Sequence, residues 1–215
     1  DTDTDTDTDT DTDTDTDTDT DTDTDTDADT DKVIAEFTDW PNGKDPSTIG
    51  RRMAKEFEDD GVSSRHYAIA CTWYGSLQVA RLIEDKQLTD SLIGKYASAL
   101  GNPMAEITGN GHVDNNVWGI VPFEIYLNNN DSRYLQDGLA LADQQVTYID
   151  SHIRMAIDDM FMITGLQMQT YRSTGDTKYL NVAASTMVKY LDSLQKDDGC
   201  FFQLAPAAAG PSRPP

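Results

Sequence analysis

The stretches Tyr126-Leu127-Asn128-Asn129-Asn130-Asp131-Ser132-Arg133-Tyr134-Leu135 and Tyr171-Arg172-Ser173-Thr174-Gly175-Asp176-Thr177-Lys178-Tyr179-Leu180 carry one pattern twice, 45 residues apart. In each, a helical stretch ends in an aromatic, a short polar turn follows with Asp, and the next helix opens on Tyr-Leu. The same shift lays Arg133 on Lys178 and Ala140 on Ser185. A weaker third copy lies upstream, with Gly75 near Gly119 and Asp85 and Leu88 near Asp131 and Leu135. Each unit reads as a helical hairpin that cannot bury its apolar face alone and must stack on the next. The candidates are an open solenoid or a closed α/α ring, and the repeat by itself does not choose between scaffold and enzyme.

Outward from these turns the rest of the chain reads as helix and punctuation. Strand signals are nearly absent after residue 32. Asp45-Pro46-Ser47 opens a helix with apolar Ile49, Met53 and Phe57 that stops at Gly61, a cap-and-proline start with a glycine stop. Segments 66–85 and 88–100 follow, the second closed by Gly101-Asn102-Pro103, and Gly109-Asn110-Gly111 reads as a loop. Helical patterns then cover 115–128, 132–148, 153–173 and 177–196. The expectation is an all-α chain of seven helices.

Composition divides the 215 residues unevenly. Residues 1–31 are an almost pure Asp-Thr alternation that holds 16 of the 39 acidic residues. Without apolar area to offset the ordering entropy, this segment is expected to be a disordered tail. The body keeps 23 acids against 16 bases, an ordinary balance that presents no basic stripe for nucleic acid. No run approaches the length of a membrane span, so no membrane partner is expected. Cys71 and Cys200 are too few for a disulfide framework. The start carries no secretory signal, and the compartment is left open. The expected organisation is a tail at 1–31, a helical domain at 32–203 and a Pro/Ala-rich tail at 204–215.

Two runs place acids among apolar residues at helix starts. One is His112-Val113-Asp114-Asn115-Asn116-Val117-Trp118-Gly119-Ile120; the other is Arg154-Met155-Ala156-Ile157-Asp158-Asp159-Met160-Phe161-Met162-Ile163. First-turn acids are favoured by the helix dipole and as caps. A surface helix start would not, however, be embedded in Met-Phe-Met-Ile or Val-Trp-Gly-Ile. Both runs follow the loop before the same kind of helix, which should bring them to one end of the fold. Asp158 and Asp159 point about 100° apart around a helix, so one is expected to serve the turn and the other the chemistry. A carboxyl held in an apolar cavity near Asp114 would have a raised pKa and act as a general acid. The pair Asp114 with Asp158 or Asp159 therefore fits acid-base work on a sugar, with Trp73, Tyr74 and Trp118 as stacking surfaces. The three histidines show no metal-ligand spacing, no phosphate loop or nucleophile elbow occurs, and no metal or cofactor is expected.

These residues, with Trp40-Pro41-Asn42-Gly43-Lys44-Asp45-Pro46, Cys71-Thr72-Trp73-Tyr74-Gly75, the run from His112 to Tyr126, Ile157-Asp158-Asp159-Met160-Phe161-Met162-Ile163-Thr164 and Tyr171-Arg172-Ser173-Thr174-Gly175-Asp176, resemble unsaturated rhamnogalacturonyl hydrolases. These form glycoside hydrolase family 105, near the unsaturated glucuronyl hydrolases of family 88, and the similarity covers 33–203. The resemblance implies an (α/α)6 barrel that releases an unsaturated galacturonyl residue from rhamnose in pectin fragments. It implies that Asp158 protonates the C4–C5 double bond and then activates water, with Asp114 assisting. Trp73, Tyr74, His112 and Arg154 are the expected substrate-binding residues beside that pair.

The sequence departs from the family in two places. The family carries an aromatic two residues before the catalytic aspartate, where this chain has Ala156. Six hairpins of this length need about 270 residues, so residues 32–203 supply only half of a ring, and self-association across the open half is expected. The rival expectation is a non-catalytic helical-repeat module that binds a protein or cations.

Overall fold

The computed structural model describes residues 39–60, 65–103, 112–152 and 154–205. The chain divides into two units, 1–41 and 42–215. Of the first, residues 39–41 are described and form neither helix nor strand. The expected Asp-Thr tail, the loop at 109–111 and residues 206–215 lie outside the described residues.

The second unit is all helix: α1 Pro46–Asp60, α2 Tyr67–Leu82, α3 Lys86–Gly94, α4 Val113–Asn116, α5 Ile120–Asn129, α6 Ser132–His152, α7 Ile157–Thr174 and α8 Thr177–Leu194. Among the described residues there is no strand, only the isolated bridges Ala156–Leu204 and Gln195–Phe201. Successive helices pack on each other, α1 on α2, α2 on α3, α5 on α6 and α7 on α8, while α5 also packs on α2 and α7.

The turns at Asn128–Asp131 and Ser173–Asp176 are alike in detail. Asn130 (φ 56°) and Gly175 (φ 72°) end α5 and α7 in the left-handed region, the conformation helix C-termini use to stop. Their N–H groups donate to Tyr126 O and Tyr171 O, both at 2.7 Å. One residue on, Asp131 Oδ1 accepts from Arg133 N at 3.0 Å and Asp176 Oδ1 from Lys178 N at 2.9 Å, opening α6 and α8.

Three boundaries differ from expectation. The stretch 115–128 is not one helix, because α4 passes through a 3-10 turn, Val117–Gly119, before α5. Pro122 lacks the N–H that would continue an α ladder back to Trp118, and its ring crowds that carbonyl. Helix α7 begins at Ile157 rather than 153, since Met155 sits at φ 52° and Ala156 is extended. Finally, the expected C-terminal tail begins too early at 204. Residues 196–205 turn back at the end of α8, and a strap of Gln203–Ala205 pairs with the start of α7, with Ile157 N donating to Gln203 O at 2.9 Å and Ala205 N to Met155 O at 3.0 Å.

The core centres on Trp73, Tyr96 and Trp118, all fully buried. Trp73 and Trp118 meet edge to face at 5.2 Å, and Tyr96 stacks on Trp118 at 6.1 Å, the offset geometries aromatic pairs favour. Arg65, itself buried, lays its guanidinium over the Trp118 ring at 4.3 Å. Close approach of α5 and α6 depends on Gly138, where a Cβ would fall 2.7 Å from the Phe123 ring.

Candidate active site

Helix α4 carries Asp114 in its first turn, and His112 caps that turn, its Nδ1 accepting from Asp114 N at 3.2 Å. Helix α7 carries Asp158 and Asp159 in its first turn, and Arg154 stands on the non-helical turn just before it. These two helix starts pack on each other, and the arginine joins them. Its Nη2 donates to Asp114 Oδ1 at 2.9 Å and to Asp158 Oδ2 at 3.3 Å. Its Nε donates to Asp159 Oδ1 at 3.1 Å, Nη2 reaches the same oxygen, and its backbone N–H donates to Asp159 Oδ2 at 2.9 Å.

The adjacent aspartates have separated as helix geometry requires. Asp159 points inward and is fully buried, held by Arg154 and by the Tyr190 hydroxyl, which donates to Oδ2 at 3.4 Å. Asp158 points outward with its side chain 51% exposed. Asp114 is intermediate at 19%. The expectation of a carboxyl enclosed in an apolar cavity is therefore corrected: Asp158 faces solvent, and a guanidinium rather than a bare apolar wall separates it from Asp114.

Histidines frame the other side of Asp114. His112 Nδ1 lies 3.4 Å and His66 Nε2 3.9 Å from Asp114 Oδ2, ion pairs only when the imidazoles are protonated. Arg154 is held above its ordinary pKa by the hydrogen bond to Asp159 first, against desolvation, with the charges of all three aspartates adding to the rise. The Tyr190 hydroxyl is pushed up by burial and then by the charge of Asp159, so it stays a donor.

One carboxylate oxygen from each of Asp114, Asp158 and Asp159 lies within 4.8 Å of the others, which makes them the group of described residues that could ligate a cation. A cation there would have to displace the guanidinium that already binds all three.

Of the three stacking surfaces read from the sequence, Trp73 and Trp118 are not surfaces. Trp73 is fully buried and donates its indole N–H to Leu92 O at 3.1 Å, and Trp118 is enclosed beside it. Large flat rings on the inner faces of packed helices bury the most apolar area of any side chain, which is what puts them in the core. Tyr74 packs half-buried against the same core. His66 and Tyr190 were not singled out by the sequence. His66 stands just before α2, and Tyr190 near the end of α8; no spacing relates either to the aspartates, and only the packing of hairpins does.

No family model, no curated protein and no solved structure matches this chain.

Proposed function

We propose that residues 42–205 form about half of an (α/α)6 barrel of the six-hairpin glycosidase kind, acting on unsaturated galacturonyl-rhamnose fragments of pectin. The observation that carries this reading is the meeting of Asp114 and Asp158, from different hairpins, on one Nη2 of Arg154. A hydration of a sugar double bond needs a carboxyl that can give and take a proton and a second acid that orients it. It needs no enzymic nucleophile.

In this reading Asp158 is the proton-transfer group. It is the exposed member, and its contact to Arg154 is the longer of the two, so a substrate can reach it. Asp158 protonates C4 of the double bond, water that it then deprotonates adds at C5, and the adduct opens with loss of the rhamnosyl leaving group. Asp114, held at 2.9 Å by the guanidinium, stands beside the reacting sugar. The Arg154 side chain is 39% exposed, so its guanidinium is the group that can meet a uronate carboxylate.

Incubation with the unsaturated galacturonyl-rhamnose disaccharide, followed by loss of ultraviolet absorbance of the conjugated double bond, tests the proposal. Turnover that disappears in Asp158→Asn supports it. A folded parent with no turnover removes the activity, and an equally active Asp158→Asn removes the role of that residue.

A further inference from the structure

The turn that carries Arg154 has no helix of its own to hold it. Met155 takes φ 52°, a region that costs a non-glycine residue energy, and Ala156 is extended. A guanidinium on so irregular a segment, 39% exposed, would sample many rotamers unless something fixed it. The fixing group is Asp159. Its Oδ1 receives Nε and Nη2 of Arg154 side-on, while its Oδ2 receives the backbone N–H of the same residue. Backbone and side chain of Arg154 are thus gripped by one buried carboxylate.

Asp159 in turn needs fixing, because a fully buried carboxylate with an unfilled acceptor bears the whole cost of lost water. Tyr190 fills that place from α8, its ring buried and its hydroxyl 3.4 Å from Oδ2. The chain of contact runs Tyr190 to Asp159 to Arg154, and ends on Asp114 and Asp158. Neither Asp159 nor Tyr190 is open to solvent, so neither can touch a substrate.

We propose that Asp159 and Tyr190 are positioning residues of this site: from behind the turn they aim the Arg154 guanidinium at the gap between Asp114 and Asp158. The proposal rests on the reading of that pair as a proton-transfer site. Groups that orient catalytic residues from behind are worth about 10- to 100-fold in activity, and misplacement of a site by about 1 Å costs about 100-fold.

The test uses Tyr190→Phe, which keeps the ring in place, and Asp159→Asn, which keeps the shape but turns half of the acceptor into a donor. Two measurements separate the proposal from the reaction it serves. The first is the NMR signal of the Arg154 Nε–H, protected from exchange by Asp159 in the parent. It should shift in Tyr190→Phe and broaden or vanish in Asp159→Asn, while both proteins keep the parent's helical circular dichroism. The second is kinetics on the unsaturated disaccharide. Expected are a fall in kcat of about 10-fold for Tyr190→Phe and about 100-fold for Asp159→Asn, with KM moving far less and the acid side of the pH profile displaced. A residue that served only stability would leave the pH profile and the ratio of kcat to KM effects where they were. An Arg154 signal unmoved in folded variants overturns the positioning role, as do unchanged kcat and pH profile. A parent without turnover whose Arg154 signal nevertheless responds overturns the reaction reading alone.

Discussion

Gln169 Nε2 donates to Glu124 Oε2 at 2.9 Å, and these two residues stand 45 positions apart, the same spacing that separates Asp131 from Asp176. Glu124 is almost wholly enclosed, yet it gathers Arg81 Nε at 3.7 Å from α2, Arg172 Nη1 at 3.6 Å from α7 and Asn128 Nδ2 at 3.4 Å from its own helix. One buried carboxylate therefore ties α2, α5 and α7 at the end opposite the starts of α5 and α7.

Glu124→Ala should unfold the packing most severely among single polar changes, because it strands the buried Gln169 donor and two half-exposed arginines over a cavity. Leaving a buried donor unsatisfied costs about 1 to 3 kcal/mol, and the emptied volume adds to the loss. Glu124→Gln keeps an acceptor for Gln169 and should cost about half as much. Urea unfolding of the two variants side by side checks the order, and equal losses would show that charge rather than shape matters at this position.

Gly138→Ala should destabilise by about 1 to 3 kcal/mol, the usual cost of overpacking, since the new methyl would lie 2.7 Å from the Phe123 ring. The 45-residue step maps Phe123 and Gly138 onto Met168 and Ala183, a slimmer side chain with a larger partner. The double variant Phe123→Met with Gly138→Ala should recover most of the loss in a thermal melt. A double variant no better than Gly138→Ala alone would refute the exchange.

Asp137 links the turn after α3 to α6, accepting from Gly101 N at 3.2 and 3.1 Å. Burial raises its pKa, with the Gly101 N–H and Tyr96 opposing the rise. A raised carboxyl in the folded state holds its proton longer than in the unfolded chain, so its contribution is full at low pH and is lost as pH climbs through the folded value. Asp137→Asn keeps an acceptor for Gly101 and cannot ionise. Its melting temperature relative to the parent should therefore rise between acid and neutral pH. A difference that stays flat or falls would contradict the burial argument.

Asp45 behaves in the opposite sense. The Ser47 hydroxyl first, then the Thr48 side chain and the Thr48 N–H at 2.8 Å, hold its carboxyl at about 2, down from an ordinary 3.8. A lowered carboxyl gives stability that is present above the unfolded value and lost as pH falls through the folded one. Asp45→Ala should thus lower the midpoint of urea unfolding at pH 6 and converge with the parent toward pH 2. A gap that persists undiminished at the acid end would remove the capping charge as its cause.

Much of the helix order is legible because its punctuation is local. Asn130 and Gly175 end helices, Asp131 and Asp176 start them, and each acts within four residues of itself. The carboxylates Asp114 and Asp158 could be singled out because their apolar neighbours contradict a surface helix start. What stayed hidden depends on partners distant in sequence. Trp73 looks like a stacking surface until Trp118 and Tyr96 close over it, and Asp158 looks enclosed until Arg154 is seen to fill the gap. Leu204 and Ala205 sit in a composition that reads as tail, yet their backbone finds partners in Met155 and Ala156, which no pattern in 204–215 could announce.

The strap also offers a handle for watching the site. Cys200 lies exposed in the turn that leads into Gln203–Ala205, whereas the Cys71 thiol is half-buried and burial pushes its pKa up, which leaves it less thiolate to react. A maleimide dye added at mild pH should therefore mark Cys200 first. Its fluorescence anisotropy would then report whether the strap stays against the turn that carries Arg154.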